Sequence, residues 1–246
     1  GRGLEQLQVY GMSYDPFEVD GVNRSLSACG LVYGSGFGMF GKPTFFVAEV
    51  EAVRELFDYR IFYSGRELCR DLSGSAAMLQ GRCVYLRFDI LRSLIWDRFQ
   101  MLRARRQKGL FDQLFGGYGI ERNEQVSPDF AKKIDRVARD VSEIFVRHEV
   151  GEAYEDLYTE EWVEMLGAGP DKYTELFLRA IKDLLSDTSS MGPLAVMIDG
   201  RNEGLVVAYM AFLEGIRKEI FPEMVRAYEE FSESGDWSLI ERARRE

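Results

Sequence analysis

The residues best suited to chemistry in this sequence lie around its only histidine, His148. At about 100° per residue on a helix, Glu152 and Glu155 project within about 40° of His148. Imidazole and carboxylate groups together ligate zinc, manganese or iron, and a spacing of four residues brings His148 and Glu152 onto one ion. The sequence therefore predicts a divalent transition-metal site at His148, Glu149, Glu152 and Glu155.

Two other interpretations of this histidine cluster stay open. The helix could end or kink near Gly151, which would leave Glu152 and Glu155 in solvent. Alternatively the helix stays straight, and inward cations such as Arg98 and Arg217 pair with the acids. A carboxylate-bridged di-iron site is not favoured, because such sites use two Glu-x-x-His pairs and this chain has one histidine. A zinc-protease H-E-x-x-H motif would need histidine where Glu152 stands.

A second candidate site is the basic segment of residues 103–108, which a glycine-rich aromatic segment, 115–119, follows closely. The cations could bind phosphate or an acidic partner, and the aromatic loop could close over a ligand. The same cations also suit the C-terminal end of a helix, whose partial negative charge they complement. The predicted contact residues are Arg103, Arg105, Arg106, Lys108 and Tyr118.

Residues 36–41 match the G-x-G-x-x-G string of phosphate-binding loops. A dinucleotide site needs a helix to start at the third glycine, but a strand-like stretch follows here. A kinase needs H-R-D and D-F-G elements, which the sequence lacks. No G-x-S-x-G nucleophile motif is present either. The string is best interpreted as a glycine-rich hairpin or hinge.

The elements that must position these residues fall into two regions, and the first is rich in strands. Partial alternation of apolar and polar residues over 44–52 predicts a strand, although residues 48–57 could instead be helical. A similar alternation over 59–63, followed by turn residues at Ser64 and Gly65 that lead into 66–71, predicts a hairpin. We therefore expect a small antiparallel sheet within about residues 31–72.

Beyond about Val84 the apolar period changes from two residues to nearly four, which indicates helices. Ser127 before Pro128 is a capping pair, and it predicts a helix from there to about Leu157 that carries His148. A long helix from about Asn202 tolerates or breaks at the proline at position 222. The residues that share the first helical face are Val84, Phe88, Leu91, Ile95, Phe99 and Leu102.

A further helix is expected to open at Pro170 and Asp171. Apolar residues recur along it at helical spacing, and this stripe is expected to face the core. The residues expected to be buried are Tyr173, Phe177, Ile181 and Leu184.

Composition limits the classes of function. The 246 residues carry 31 Lys and Arg against 41 Asp and Glu, a formal net charge of −10, which opposes broad binding to nucleic acid or anionic membranes. The longest apolar run, 205–213, is too short to span a membrane. The three cysteines form no C-x-x-C pair and predict neither a disulfide framework nor a zinc knuckle, so a reducing cytoplasm is expected.

These observations predict an α+β protein, mainly a helical bundle with a small antiparallel β-sheet near the N-terminus. Residues 1–82 would hold the sheet and residues 83–246 the bundle, as two regions or as one continuous domain. Because catalytic signatures are lacking, the leading prediction is a cytoplasmic, non-catalytic protein that binds a ligand or a protein partner. The alternative is a metal-binding protein or metal-dependent enzyme centred on His148. Whether the chain is an enzyme and how it associates stay open.

Overall fold

A computed structural model describes residues 4–37, 42–71, 74–105, 107–156, 159–167 and 170–246. The chain forms two compact units, Gly1–Ser93 and Leu94–Glu246. The fold is a mixed α+β fold with more helix than strand, as predicted. That the helices form a bundle, and that the chain divides after residue 82, stay predictions. Within the described ranges, no helix has both the length and the apolar character needed to cross a membrane.

In its described residues, the first unit holds a two-stranded sheet, a five-stranded sheet and one complete α-helix. The antiparallel pair β1–β2 precedes helix α1, which packs on the larger sheet, and a 3₁₀ turn at Ser27–Cys29 follows the helix. The elements are β1 (Leu7–Val9), β2 (Met12–Tyr14), α1 (Val19–Leu26), β3 (Leu31–Phe37), β4 (Pro43–Leu56), β5 (Tyr59–Arg70), β6 (Ala77–Gln80) and β7 (Cys83–Arg87).

The larger sheet is mixed, which corrects the expectation of a purely antiparallel sheet. Its strand order is β3-β4-β5-β7-β6, and β5 and β7 run parallel. The sheet also extends to Arg87, well past the expected limit near residue 72, because the β6–β7 hairpin turns at Gly81 and lays β7 against β5. The outer strands approach each other, since the Gln80 side chain lies 3.4 Å from the Ser35 hydroxyl. The sheet is therefore curled.

Two predicted boundaries in this unit are wrong. Ser64 and Gly65 make no turn, because β5 continues through both residues, and the hairpin turn lies instead after Leu56. Gly65 serves close packing, since a Cβ there would lie 2.5 Å from the Glu51 side chain. Val84 belongs to β7, and the helix begins only at Phe88. A buried strand needs an apolar residue at position 84 as much as a helix would, so the helical spacing between Val84 and Phe88 was a coincidence.

Helices make up the second unit. The long helix expected from Asn202 ends at Phe212, and Pro222 begins a separate helix. The elements are α2 (Phe88–Ala104), which begins in the first unit, α3 (Leu110–Gly117), α4 (Pro128–Tyr154), α5 (Glu160–Gly167), α6 (Lys172–Thr188), α7 (Pro193–Asp199), α8 (Glu203–Phe212), α9 (Gly215–Glu219), α10 (Pro222–Ser234) and α11 (Trp237–Arg245).

Helix α4 begins where the sequence predicts. The Ser127 hydroxyl accepts a hydrogen bond from the backbone N–H of Phe130 at 3.1 Å, and Pro128 occupies the first helical turn, where a missing N–H costs nothing. The helix ends at Tyr154, three residues before the predicted end. It stays helical through Gly151, so one rigid element positions both His148 and Glu152.

Helix α6 faces the opposite way from the prediction. Tyr173 is 66% exposed, Ile181 is 36% exposed and Leu185 is 50% exposed. Its buried residues include Glu175, Lys182 and Asp187. Because α6 packs against α4 with these polar residues facing inward, part of its apolar stripe, at Tyr173, Ile181 and Leu185, is exposed. The expected burial of Tyr173 and Ile181 is therefore wrong, while Phe177 and Leu184 are half-buried.

Candidate functional site

His148 projects from α4 toward α6 and binds a carboxylate there. Its Nδ1 lies 2.7 Å from Oδ1 of Asp187, whose side chain is only 2% exposed. The other oxygen of Asp187 accepts a hydrogen bond from the Tyr209 hydroxyl at 3.0 Å and lies 3.6 Å from Arg217. Groups from α6, α8 and α9 therefore fix both the carboxylate and the imidazole ring.

The second ring nitrogen of His148 faces two more carboxylates. Nε2 lies 3.8 Å from Oε2 of Glu152 and 3.8 Å from Oδ1 of Asp183. The three potential ligand atoms all lie within 4.8 Å of one another. Glu152 is 3% exposed and Asp183 is 31% exposed, so the group is open to solvent on the Asp183 side.

Lys182 supplies a cation to the same group. Its ammonium contacts Oε2 of Glu152 and lies 3.4 Å from Asp183. Cations and carboxylates therefore alternate along a polar seam between α4 and α6, where each buried charge has an opposite charge nearby. We use "polar seam" for this set of residues: His148, Glu152, Lys182, Asp183, Asp187 and Arg217.

The environment of His148 favours its charged form. Burial lowers the pKa of the imidazole, but the charge and hydrogen bond of Asp187, together with Glu149 and Asp183, outweigh burial and raise the pKa to about 9. His148 is therefore an imidazolium at neutral pH. Burial and the charge of Asp187 raise the pKa of Tyr209 well above its usual value, so Tyr209 stays a hydrogen-bond donor.

Two glycines let the backbones meet at the polar seam. A Cβ at Gly151 would lie 2.5 Å from the carbonyl oxygen of Ser186, and a Cβ at Gly192 would lie 2.2 Å from the same atom. The Ser186 hydroxyl also donates a hydrogen bond to the backbone carbonyl of His148. The seam therefore depends on close contact between the backbones of α4 and the end of α6.

A basic cleft lies elsewhere in the second unit, between the end of α2 and the start of α3. Its volume is about 530 Å³. It contains three cationic side chains and an apolar wall that includes Met101 and Phe111. The lining residues are Arg98, Met101, Leu102, Arg105, Gln107, Lys108, Gly109, Leu110, Phe111 and Asp112.

Arg122 holds the loop that forms one side of the basic cleft. Its guanidinium donates to the carbonyl oxygens of Arg105 at 2.7 Å and Gln107 at 3.0 Å. It also binds both carboxylate oxygens of Asp112, at 2.7 and 2.9 Å. The negative charge of Asp112 is therefore balanced by Arg122, and the cationic character of the cleft is kept.

Arg98 lines the cleft from α2. One terminal nitrogen pairs with Glu214 at 2.7 Å, and the guanidinium lies over the rings of Phe111 and Phe212 at 5.5 and 5.9 Å. Its Nε is buried, and no hydrogen-bond partner for it lies within the described ranges. Arg98 therefore has donor capacity that the described protein groups leave unused.

Two models of one family of unknown function match the chain. The N-terminal domain of DUF6866 matches residues 1–87, and the C-terminal domain of DUF6866 matches residues 92–246. The chain belongs to the DUF6866 family. No curated protein and no solved structure matches the chain. The polar seam and the basic cleft both lie within the DUF6866 C-terminal domain.

Only some of the four predicted metal ligands lie together in the structure of this DUF6866 chain. His148 and Glu152 come together in the polar seam. Glu149 is half-buried and contributes its charge to the raised pKa of His148. Glu155 is the exposed C-cap of α4 and lies outside the seam.

Sequence reasoning missed the acidic residues that α6 brings to the seam. Asp183 directly follows Lys182, and Asp187 lies one helical turn after Asp183; this spacing was the available signal. The apolar stripe of α6 concealed it, because burial of that stripe would have placed these charged residues in solvent. Their distance of more than 30 residues from His148 gave no local pattern to detect.

Only some of the predicted contact residues lie in the basic cleft. Arg105 and Lys108 line the basic cleft. Arg103 is exposed, with its guanidinium 5.9 Å from the centre of the Phe99 ring, and does not line the cleft. Tyr118 donates a hydrogen bond to Asp140 at 2.9 Å, away from the cleft. Arg106 lies outside the described residues, as do residues 38–41 of the glycine-rich string.

Proposed function

We propose that this DUF6866 protein binds a small anionic ligand in the basic cleft of its C-terminal domain. The observation that carries the proposal is an uncompensated positive charge. Within the part of the chain that the structure describes, no carboxylate lies within ion-pair distance of Arg105 or Lys108. In a chain with a net charge of −10, such a concentration of free cations in one concavity favours an anion.

The lining of the cleft indicates the chemistry of the ligand. Arg98 and Arg105 carry guanidinium groups, which match the two oxygens of a carboxylate or phosphate, and Lys108 adds a point charge. Met101 and Phe111 offer apolar surface for the rest of the ligand. A volume of about 530 Å³ falls within the range of small-molecule sites. The expected ligand is therefore a metabolite with a phosphate or carboxylate group and an apolar or aromatic body.

The groups that line the cleft can bind and orient an anion, and we assign them no chemical step. The only carboxylate among them, Asp112, is paired with Arg122. We infer a binding protein that acts in the cytoplasm, which the free thiols of Cys29, Cys69 and Cys83 support because reduced cysteines persist there.

Isothermal titration calorimetry tests the proposal with inorganic phosphate, pyrophosphate, citrate and adenosine monophosphate as probes. We expect at least one probe to bind the wild-type protein. Arg105→Ala and Lys108→Ala should each weaken binding by about tenfold, since each removes a charge-assisted hydrogen bond. Neither change removes the backbone carbonyl of Arg105 that Arg122 uses, so the loop should keep its conformation.

Arg103→Ala is the matched control, because it removes the same charge from the same segment but outside the cleft. Affinity in this variant should stay within about twofold of the wild-type value. Equal losses in Arg103→Ala and Arg105→Ala would reveal nonspecific attraction to a basic segment and would overturn the proposal. Failure of all four probes to bind the wild-type protein would overturn it as well.

A further inference from the structure

Three potential metal ligands converge in the polar seam, away from the basic cleft. We propose that His148, Glu152 and Asp183 bind a divalent transition ion of the first row, with Zn²⁺ as the type ion. His148 and Glu152 come from successive turns of α4, and Asp183 comes from α6. This ligand set is independent of the anionic ligand proposed for the cleft, and either site can exist without the other.

The distances between the ligand atoms suit a single ion. Metal–ligand bonds of about 2.0–2.2 Å place neighbouring ligand atoms about 3–3.5 Å apart. The separations from His148 Nε2 to Glu152 and to Asp183 are both 3.8 Å. Rotation of the half-exposed Asp183 side chain could shorten its separation by the few tenths of an ångström required. The separation between His148 Nε2 and Glu152 must shorten by the same amount, through rotation of side chains on successive turns of α4.

Asp187 gives His148 the orientation that a metal ligand needs. A ligating histidine usually donates its other ring N–H to a carboxylate, which fixes the tautomer and the plane of the ring. Asp187 accepts from Nδ1 at 2.7 Å, so Nε2 is the nitrogen that faces Glu152 and Asp183. Tyr209 and Arg217 hold Asp187 in turn, and neither belongs to the ligand set.

Lys182 shows that this position already stabilises a cation. Its ammonium contacts Glu152 and lies near Asp183, where a metal ion would share the same oxygens. A divalent ion would therefore displace Lys182 from the two carboxylates and the proton from His148. Lys182 would thus compete with a bound metal ion, so a variant that lacks its ammonium can distinguish a metal site from a purely structural ion network.

The donor atoms determine the class of ion. One imidazole and two carboxylates suit Zn²⁺, Mn²⁺, Fe²⁺ or Co²⁺, whereas Ca²⁺ and Mg²⁺ prefer oxygen ligands alone. Three protein ligands leave at least one coordination position for water or another small molecule. Asp183 is 31% exposed, so that position would open toward solvent.

The test is a titration of the chelator-treated, full-length protein with Co²⁺, followed by visible absorption and then by displacement with Zn²⁺. We expect one Co²⁺ per chain, with no thiolate-to-cobalt absorption band. His148→Ala and Asp183→Asn should weaken binding by at least a hundredfold, a larger loss than changes beyond the ligands cause. Glu155→Gln is the matched control, because it removes a carboxylate from the same helix outside the seam, and it should leave affinity unchanged.

Lys182→Met supplies the decisive comparison, because it removes the competing cation. It should tighten Co²⁺ binding by about tenfold or more and make thermal stability more dependent on metal than in the wild-type protein. In the metal-free protein Lys182→Met lowers stability whether or not the site binds metal, but a purely structural ion network predicts that added metal does not restore it. That result would overturn the proposal, as would equal affinity in Asp183→Asn and Glu155→Gln, or a thiolate band.

Discussion

The imidazole of His148 and the carboxylate of Asp187 lie 2.7 Å apart, although the two residues are 39 positions apart in the sequence. Their contact joins α4 to α6. Asp187 is almost fully buried and receives further donors from Tyr209 and Arg217. The pair therefore connects α4 and α6 to α8 and α9. Its protonation state should be coupled to the stability of the second unit.

The titration of His148 can be measured directly, because it is the only histidine. In the metal-free protein its ring resonance should give a pKa of about 9 by NMR. Asp187→Asn should lower this pKa by about 1–3 units, since an opposite charge is lost. Tyr209→Phe is the control and should keep the pKa raised, because Asp187 stays charged. A wild-type pKa near 6.5 would contradict the predicted effect of Asp187.

The same raised pKa predicts how stability depends on pH. The folded-state pKa of His148 lies above its unfolded value of 6.5, so the stabilisation is fully present below pH 6.5 and is lost as pH rises to about 9. Urea denaturation of the metal-free protein between pH 6 and 10 should show this loss. In Asp187→Asn this part of the pH dependence should become smaller; an unchanged slope would refute the assignment.

Glu152 and Lys182 should show strong coupling in a double-mutant cycle. Glu152→Leu and Lys182→Met, measured singly in the metal-free protein, should each lower the free energy of unfolding by about 3–5 kcal/mol, because each leaves a buried charge without its nearest partner. The double variant should lie within about 1–2 kcal/mol of the wild-type value. Chemical denaturation measures all four proteins, and additive losses would contradict a mutual pairing.

Two glycine substitutions should change stability in opposite directions. Gly151→Ala places a Cβ 2.5 Å from the backbone oxygen of Ser186 and should destabilise the protein by about 1–3 kcal/mol. Gly116→Ala adds a Cβ in open space on α3 and should stabilise it by up to about 1 kcal/mol, because alanine favours helix. Thermal unfolding tests both variants. If both variants changed stability by the same amount in the same direction, the close approach of α4 and α6 would not be required for stability.

Glu241 predicts a separate loss of stability in acid. Hydrogen bonds from Arg244 and Arg245 lower its pKa to about 2, although burial opposes them. The folded pKa lies below the unfolded value of 4.5, so its contribution is present above pH 4.5 and is lost as pH falls toward 2. The stability difference between wild type and Glu241→Gln should therefore be constant near neutral pH and shrink below pH 4.5. A constant difference down to pH 3 would refute this prediction.

The sequence predicted best those elements whose signals are local. Ser127 and Pro128 define the start of α4 through a side-chain cap and a fixed φ angle, and both effects depend only on neighbouring residues. The parallel pairing of β5 with β7 could not be predicted in the same way. It depends on a hairpin that returns to a distant strand, and hydrophobic alternation does not specify the partner of a strand.

The candidate site was predicted in part for a related reason. His148 and Glu152 share one helix, so their spacing predicted that they face the same direction. Asp183 and Asp187 lie on α6, and periodicity alone cannot show which face of a helix packs inward when polar residues find buried partners. The orientation of α6 therefore explains both why its predicted burial was wrong and why Asp183 and Asp187 were not predicted as site residues.

That orientation reverses the usual pattern of tolerance to substitution along one helix. Ile181 and Leu185 would ordinarily be conserved as core positions, yet their exposure means that serine or glutamine there removes little buried surface. Lys182 and Asp187 would ordinarily vary freely as surface charges, yet they are the positions where exchange is most harmful. A saturation library of α6 should therefore retain Lys182 and Asp187 and accept polar residues at positions 181 and 185.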